Sequence, residues 1–169
     1  SSLLQLRLPL RLLADFRVNS GKCRIFVSTI SATPLYNAYQ GGTYFLSDNA
    51  LKKQIAREFG LPQHLYLESW IKSLSVLRNC IAHHARIWNR KYPWKPQLPK
   101  KLQNPWVHEA VLQEKLYAQL CCVAYLMDAV CPDNDFRRKL KTLLEDYPIV
   151  DVAAMGFPKQ WYNEPLWSR

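Results

Sequence analysis

Leu77-Arg78-Asn79-Cys80-Ile81-Ala82-His83-His84-Ala85-Arg86-Ile87-Trp88-Asn89-Arg90 is where an apolar helical pattern ends and a basic, aromatic one begins. Upstream, Leu67, Trp70, Ile71, Leu74, Leu77 and Ile81 fall on one stripe at about 100° per residue. Glu68, Ser69, Lys72, Ser73, Ser75 and Asn79 fall on the other side. The spacing therefore predicts a helix starting near Leu65, with its apolar face turned to a core. Arg78 breaks the pattern, because it projects inside the apolar stripe between Ile71 and Leu74. A guanidinium facing a core or an interface must be paired, since an unpaired buried charge is costly. Two readings stay open for Arg78: a structural salt bridge beneath the helix, or an arginine held on a protected surface to meet a phosphate bidentately. His83 projects about 140° from Arg78 on the same wheel, so one straight helix does not bring the two side chains together. Either the helix breaks near Ala82 or the site is assembled from two subunits. For His83 the plain alternative is a capping or satisfied histidine. An imidazole near an arginine and an amide is nonetheless a suitable set for proton transfer at a phosphodiester.

Downstream, no acidic residue occurs between Glu68 and Glu109, while Lys72, Arg78, Arg86, Arg90, Lys91, Lys95, Lys100 and Lys101 all do. Much of the chain's +10 net charge therefore surrounds the motif, and a field of that sign concentrates polyanions. Trp88, Tyr92, Trp94 and Trp106 alternate with these cations. Aromatic faces among cations suit unpaired bases and phosphates; the alternative is that the tryptophans are core and the lysines a solvated rim. From this window His84, Arg86, Trp88, Asn89, Arg90, Lys91 and Lys95 are the expected residues for binding a single-stranded polyanion with bases.

Further out, Tyr92 to Pro105 carries Pro93, Pro96, Pro99 and Pro105. It can be neither helix nor central strand, and we expect an ordered, extended strap. Before the motif, Leu51, Ile55 and Phe59 mark a helix that Ser47 or Asp48 can cap and that Gly60 and Pro62 end. After the strap a long helix is expected from about Val107 to Val130, then one opened by Pro132 and Asp133, with Phe136, Leu140, Leu143 and Leu144 inward and Arg137, Arg138 and Lys141 outward. The proline- and aromatic-rich ending, Met155 to Trp167, should pack back on the helices. Residues 1 to 46 have no clean period, although Cys23 to Ile30 has the character of a short strand.

A chain of 169 residues that is 49% hydrophobic and 21% charged is of globular, single-core type. Its five cysteines are odd in number and include no Cys-x-x-Cys pair, which argues against a disulfide framework and for a cytoplasmic location. No apolar run reaches the roughly 18 residues that would span a bilayer, so no membrane partner is expected. A metal site built on Cys80, His83 and His84 would need a further ligand from elsewhere, and neither a metal nor another cofactor is expected.

The stretch Leu77 to Arg90, LRNCIAHHARIWNR, resembles the central motif of the bacterial Abi (abortive infection, Abi_2) proteins. Met155-Gly156-Phe157-Pro158-x-x-Trp161 with Pro165-Leu166-Trp167 resembles that family's ending, and Leu67-Glu68-Ser69-Trp70 agrees. The likeness runs from about Ser47 to Arg169. It implies a mainly α, HEPN-like helical bundle over residues 47–169, with the proline-rich strap as a connection. Residues 1–46 are expected to be a divergent N-terminal segment, a candidate remnant of something longer. HEPN-like proteins include many metal-independent endoribonucleases with an Arg-x(4–6)-His motif, which Arg78 and His83 fill with four residues between. The resemblance implies Arg78, Asn79 and His83 as catalytic residues, RNA as substrate, a homodimer that pairs two motifs, and an antitoxin or regulatory RNA as a further partner. The alternative function is a non-catalytic RNA-binding module derived from a truncated Abi protein.

Overall fold

The computed structural model describes residues 49–83, 85–130 and 132–168. The capping residues Ser47 and Asp48, the strand at Cys23 to Ile30, the whole 1–46 segment and His84 lie outside the described residues, as does the side chain of Ile81. Among the described residues there are four α-helices and no strand: α1 (Asn49–Glu58), α2 (His64–Ala82), α3 (Leu116–Val130) and α4 (Phe136–Asp146). Two short 3-10 turns follow at Ala153–Met155 and Trp161–Asn163. The expectation of a mainly α chain holds.

Gly60 ends the first helical segment because its backbone adopts φ +67°, where a side chain is strained. The buried ion pair Lys52 to Glu68 at 3.2 Å ties α1 to α2 across that turn. The expected stripe of α2 is buried at Leu67, Trp70, Ile71, Leu74 and Leu77. Ser73 and Ser75, placed on the outer side by the wheel, are buried as well. The strap explains Ser73: it covers that flank of α2, and the Ser73 hydroxyl stands 2.7 Å from the Gln119 amide oxygen and 3.1 Å from the Trp94 carbonyl.

The strap is ordered as expected, and hydrogen bonds replace the regular ladder that its prolines forbid. The Trp70 indole donates to the Gln97 carbonyl at 2.7 Å, Gln97 N–H donates to Ser69 Oγ at 2.9 Å, and the Trp106 indole donates to the Pro99 carbonyl at 3.0 Å. Trp70 and Trp106 stack at 5.4 Å, with the Tyr125 ring edge-on to both. This cluster joins α2, the strap and α3 in one core.

Two expectations are corrected. The helix expected from about Val107 begins only at Leu116. The stretch before it is instead tied to the tail and the strap: the Glu164 carboxylate accepts the N–H groups of His108 at 2.7 Å and Glu109 at 3.0 Å, and Tyr92 N–H donates to the Glu114 carbonyl at 2.8 Å. Leu112, within the expected helix, is exposed. Arg137, expected to face out, is buried. Its guanidinium forks onto Asp128, with Nη1 at 2.7 Å from Oδ1, while Nε donates to the Leu166 carbonyl. One arginine thus clamps α3, α4 and the tail together.

The tail does pack back on the helices. Trp167 is fully buried, its indole donating to the Tyr117 hydroxyl at 3.0 Å, and it meets Trp161 edge-on at 5.4 Å. Gly156 adopts φ +88°, and a Cβ there would stand 2.6 Å from Cβ of Lys115. Only glycine lets the tail approach α3 this closely.

Candidate functional site

The end of α2 presents the motif. His83 N–H still donates to the Asn79 carbonyl at 3.0 Å, and Ala85 N–H then reaches back to the Cys80 carbonyl at 2.8 Å. The helix ends at Ala82, and His83 is the first residue beyond it. The break expected near Ala82 is therefore present. His83 and Asn79 are exposed and Arg78 is half-buried.

Arg78 Nη1 donates to the Asn79 side-chain oxygen at 3.1 Å. Among the described residues no carboxylate pairs with Arg78, so the salt bridge that its place on the wheel allowed is not formed there. Asn79 therefore serves both neighbours: its amide oxygen orients the guanidinium, and its backbone carbonyl holds the histidine's backbone. No hydrogen bond joins the His83 ring to Arg78 or Asn79 among the described residues.

Beyond the cap, Arg86, Asn89 and Lys91 are exposed, and Trp88 and Arg90 are half-buried. Asn89 takes the left-handed conformation at φ 44°, which asparagine tolerates better than most residues. Its amide oxygen accepts from Lys115 Nζ at 3.2 Å, and the same ammonium donates to the Ala154 carbonyl at 3.0 Å. Lys115 thereby connects the motif with the turn that precedes Gly156, so the two separated signature stretches meet around one side chain. Arg90 lies 5.9 Å over the Tyr92 ring. Tyr92 is core, its hydroxyl donating to the Ile87 carbonyl at 3.0 Å, and burial pushes its phenol well above the ordinary range. Lys95 pairs loosely with Glu114 at 3.8 Å. The Glu114 carboxyl is held below its ordinary value, first by its own backbone N–H and then by Lys95, Lys91 and Lys115.

Of the four interleaved aromatic residues, Tyr92 and Trp106 are buried, Trp88 is half-buried, and Trp94 keeps 49% of its surface exposed. Lys72 and Trp94 form a pair that a residue-by-residue reading did not assign to the site: Lys72 Nζ stands 3.3 Å over the Trp94 ring. The signal available in the sequence was the spacing 72, 79, 83, which repeats at helical period. Cys80 is buried while His83 is exposed, and among the described residues no group of three or more His, Cys, Asp or Glu side chains is arranged to hold a metal. No helix among them is long and apolar enough to cross a membrane.

Residues 28–89 match the family model of Abi-like proteins. Over that stretch the chain is Abi-like. The match takes in Arg78, Asn79, His83 and the cap of α2, begins upstream of Ser47, and ends before the strap and the tail. No curated protein and no solved structure matches the chain. The match covers 62 of the chain's 169 residues.

Proposed function

We propose that this Abi-like chain is a metal-independent endoribonuclease of abortive-infection or toxin type. The observation that carries the reading is the Arg78-x(4)-His83 pair within the family match, accessible at the end of α2 and bordered by an acid-free basic stretch. In the mechanism His83 removes the proton of a ribose 2′-hydroxyl, whose oxygen attacks the adjacent phosphorus while the bond to the 5′-oxygen breaks. The proton returns to that leaving oxygen, giving a 2′,3′-cyclic phosphate and a 5′-hydroxyl. The nucleophile is the substrate's own hydroxyl, so the step calls for no metal-bound water. Arg78, oriented by Asn79, stabilises the charge that develops on the non-bridging oxygens.

The divergence of Arg78 and His83 is accommodated by a homodimer in which each composite site takes its arginine from one copy and its histidine from the other. Arg86, Lys91 and Arg90 then hold flanking phosphates, and Trp88 contacts a base. The test is RNA incubated with the parent protein and its His83→Ala variant, each purified free of host nucleases. The proposal expects cleavage by the parent alone; retained cleavage by His83→Ala overturns the assignment. RNA binding by both proteins with cleavage by neither would establish the binding-module alternative instead.

A further inference from the structure

We infer that Trp94 is a base-stacking platform for single-stranded RNA, set along α2 from His83 and served by Lys72. The inference rests on the ribonuclease reading only for its ligand class; its geometry makes no use of Arg78.

Six large apolar side chains remain exposed among the described residues: Leu51, Leu65, Trp94, Leu112, Ile149 and Tyr162. Trp94 alone among them stands within the acid-free basic stretch. Its ring is half open to solvent while its backbone is fixed, with its carbonyl 3.1 Å from Ser73 Oγ and the Gln97 N–H bound three residues on by Ser69. A rigid tryptophan is expensive to leave wet, and one with a cation at its face is suited to a ligand that brings both an aromatic surface and negative charge. Lys72 supplies the cation, and among the described residues it has no carboxylate partner.

The placement matters as much as the pair. Leu65, Ser69, Lys72, Val76, Asn79 and His83 recur at three- and four-residue spacing and so share one face of α2. The strap runs antiparallel to α2, since Trp94 meets Ser73 and Gln97 meets Ser69. Lys72 and Trp94 therefore stand on the same face as His83, about 16 Å away at 1.5 Å per residue. A base stacks on the open face of Trp94, the Lys72 ammonium meets its phosphate, and the strand continues along the face to His83. A nucleic acid fits this surface better than an acidic peptide because each of its units carries both a π-face and a phosphate, whatever the sequence in register. A paired duplex does not fit, because its bases are already stacked on one another.

The experiment uses the full chain carrying His83→Ala, so that RNA is not consumed, and a fluorescein-labelled oligouridine as probe, with a duplex of the same length as control. Trp94→Leu keeps the apolar bulk and removes the π-face. It should weaken oligouridine binding roughly 5- to 150-fold, the range for loss of one stacked base, leave the slope of affinity against salt unchanged, and leave duplex binding unchanged. Trp94→Tyr should retain most of the affinity. Lys72→Gln should reduce the salt slope by about 0.7, the loss of one phosphate contact on a single strand. Equal oligouridine affinity for Trp94→Leu and its parent overturns the platform. So does a Trp94→Leu variant whose only change is in self-association, which would assign the ring to a protein interface. Cleavage by the protein with native His83 separates the two claims. Cleavage with Trp94-independent binding leaves the ribonuclease reading standing alone, and Trp94-dependent binding without cleavage leaves the platform standing alone.

Discussion

The tail side of the molecule and the cap of α2 are built on opposite principles. Around the tail, Trp167, Trp161, Phe157, Tyr117 and Phe136 pack ring on ring, and polar groups there are paired: the Trp167 indole with Tyr117, Arg137 with Asp128, Glu164 with two backbone N–H groups. At the cap, among the described residues Arg78 pairs with a neighbouring amide and no carboxylate, Asn79 and His83 face solvent, and Arg86 and Lys91 beyond them are exposed. Polar groups matched within the protein stabilise it, whereas polar groups left open remain free to meet a ligand. Substitutions in the two regions should accordingly separate stability from chemistry.

The largest stability effect is expected at Trp167. Trp167→Ala empties a fully buried site shared by α3, α4 and the tail, and should cost about 3–5 kcal/mol in denaturant unfolding. Arg137→Leu comes next, at about 3 kcal/mol, because Asp128 loses the fork that balances it and the Leu166 carbonyl loses its donor. Gly156→Ala should follow at roughly 2 kcal/mol, from backbone strain at φ +88° and the close approach of Lys115. Arg78→Ala and His83→Ala should sit within about 0.5 kcal/mol of the parent. A Trp167→Ala protein as stable as parent, or a His83→Ala protein that unfolds, would break the comparison.

Thiol chemistry sharpens the same division without mutation. Cys121 and Cys122 are buried in α3, and burial pushes both thiols above their ordinary range. They should stay protonated at neutral pH and react with a thiolate-selective reagent only after the core opens. Rapid native labelling of either would show the core to be looser than the ring packing implies.

Much of this architecture was legible in the chain. The stripe of α2, the glycine stop at Gly60, the prolines of the strap and the aromatic ending each announce themselves within a few residues, because each follows from local period or local backbone restriction. The misses are long-range. Val107 to Glu114 has helical spacing, but it is tied to the tail through Glu164, more than fifty residues on, and to the strap through Tyr92 N–H on the Glu114 carbonyl. Arg137 has the place of an outward cation on α4, but Asp128 and the Leu166 carbonyl turn it inward. Ser73 is polar on a polar flank, yet the strap lies over it. The candidate site divides in the same way. Arg78, Asn79 and His83 were visible because their spacing is linear, while the approach of Trp94 to Lys72 depends on where the strap docks.

The central claim is that the open polar groups at the cap cut RNA. The most direct measurement is the chemistry of RNA ends after incubation with parent, Arg78→Ala and His83→Ala proteins. The account predicts 2′,3′-cyclic phosphate and 5′-hydroxyl ends with the parent, and loss of about two orders of magnitude or more in rate with either variant. Ends of 3′-hydroxyl and 5′-phosphate type, or parent-like cleavage by His83→Ala, would contradict it.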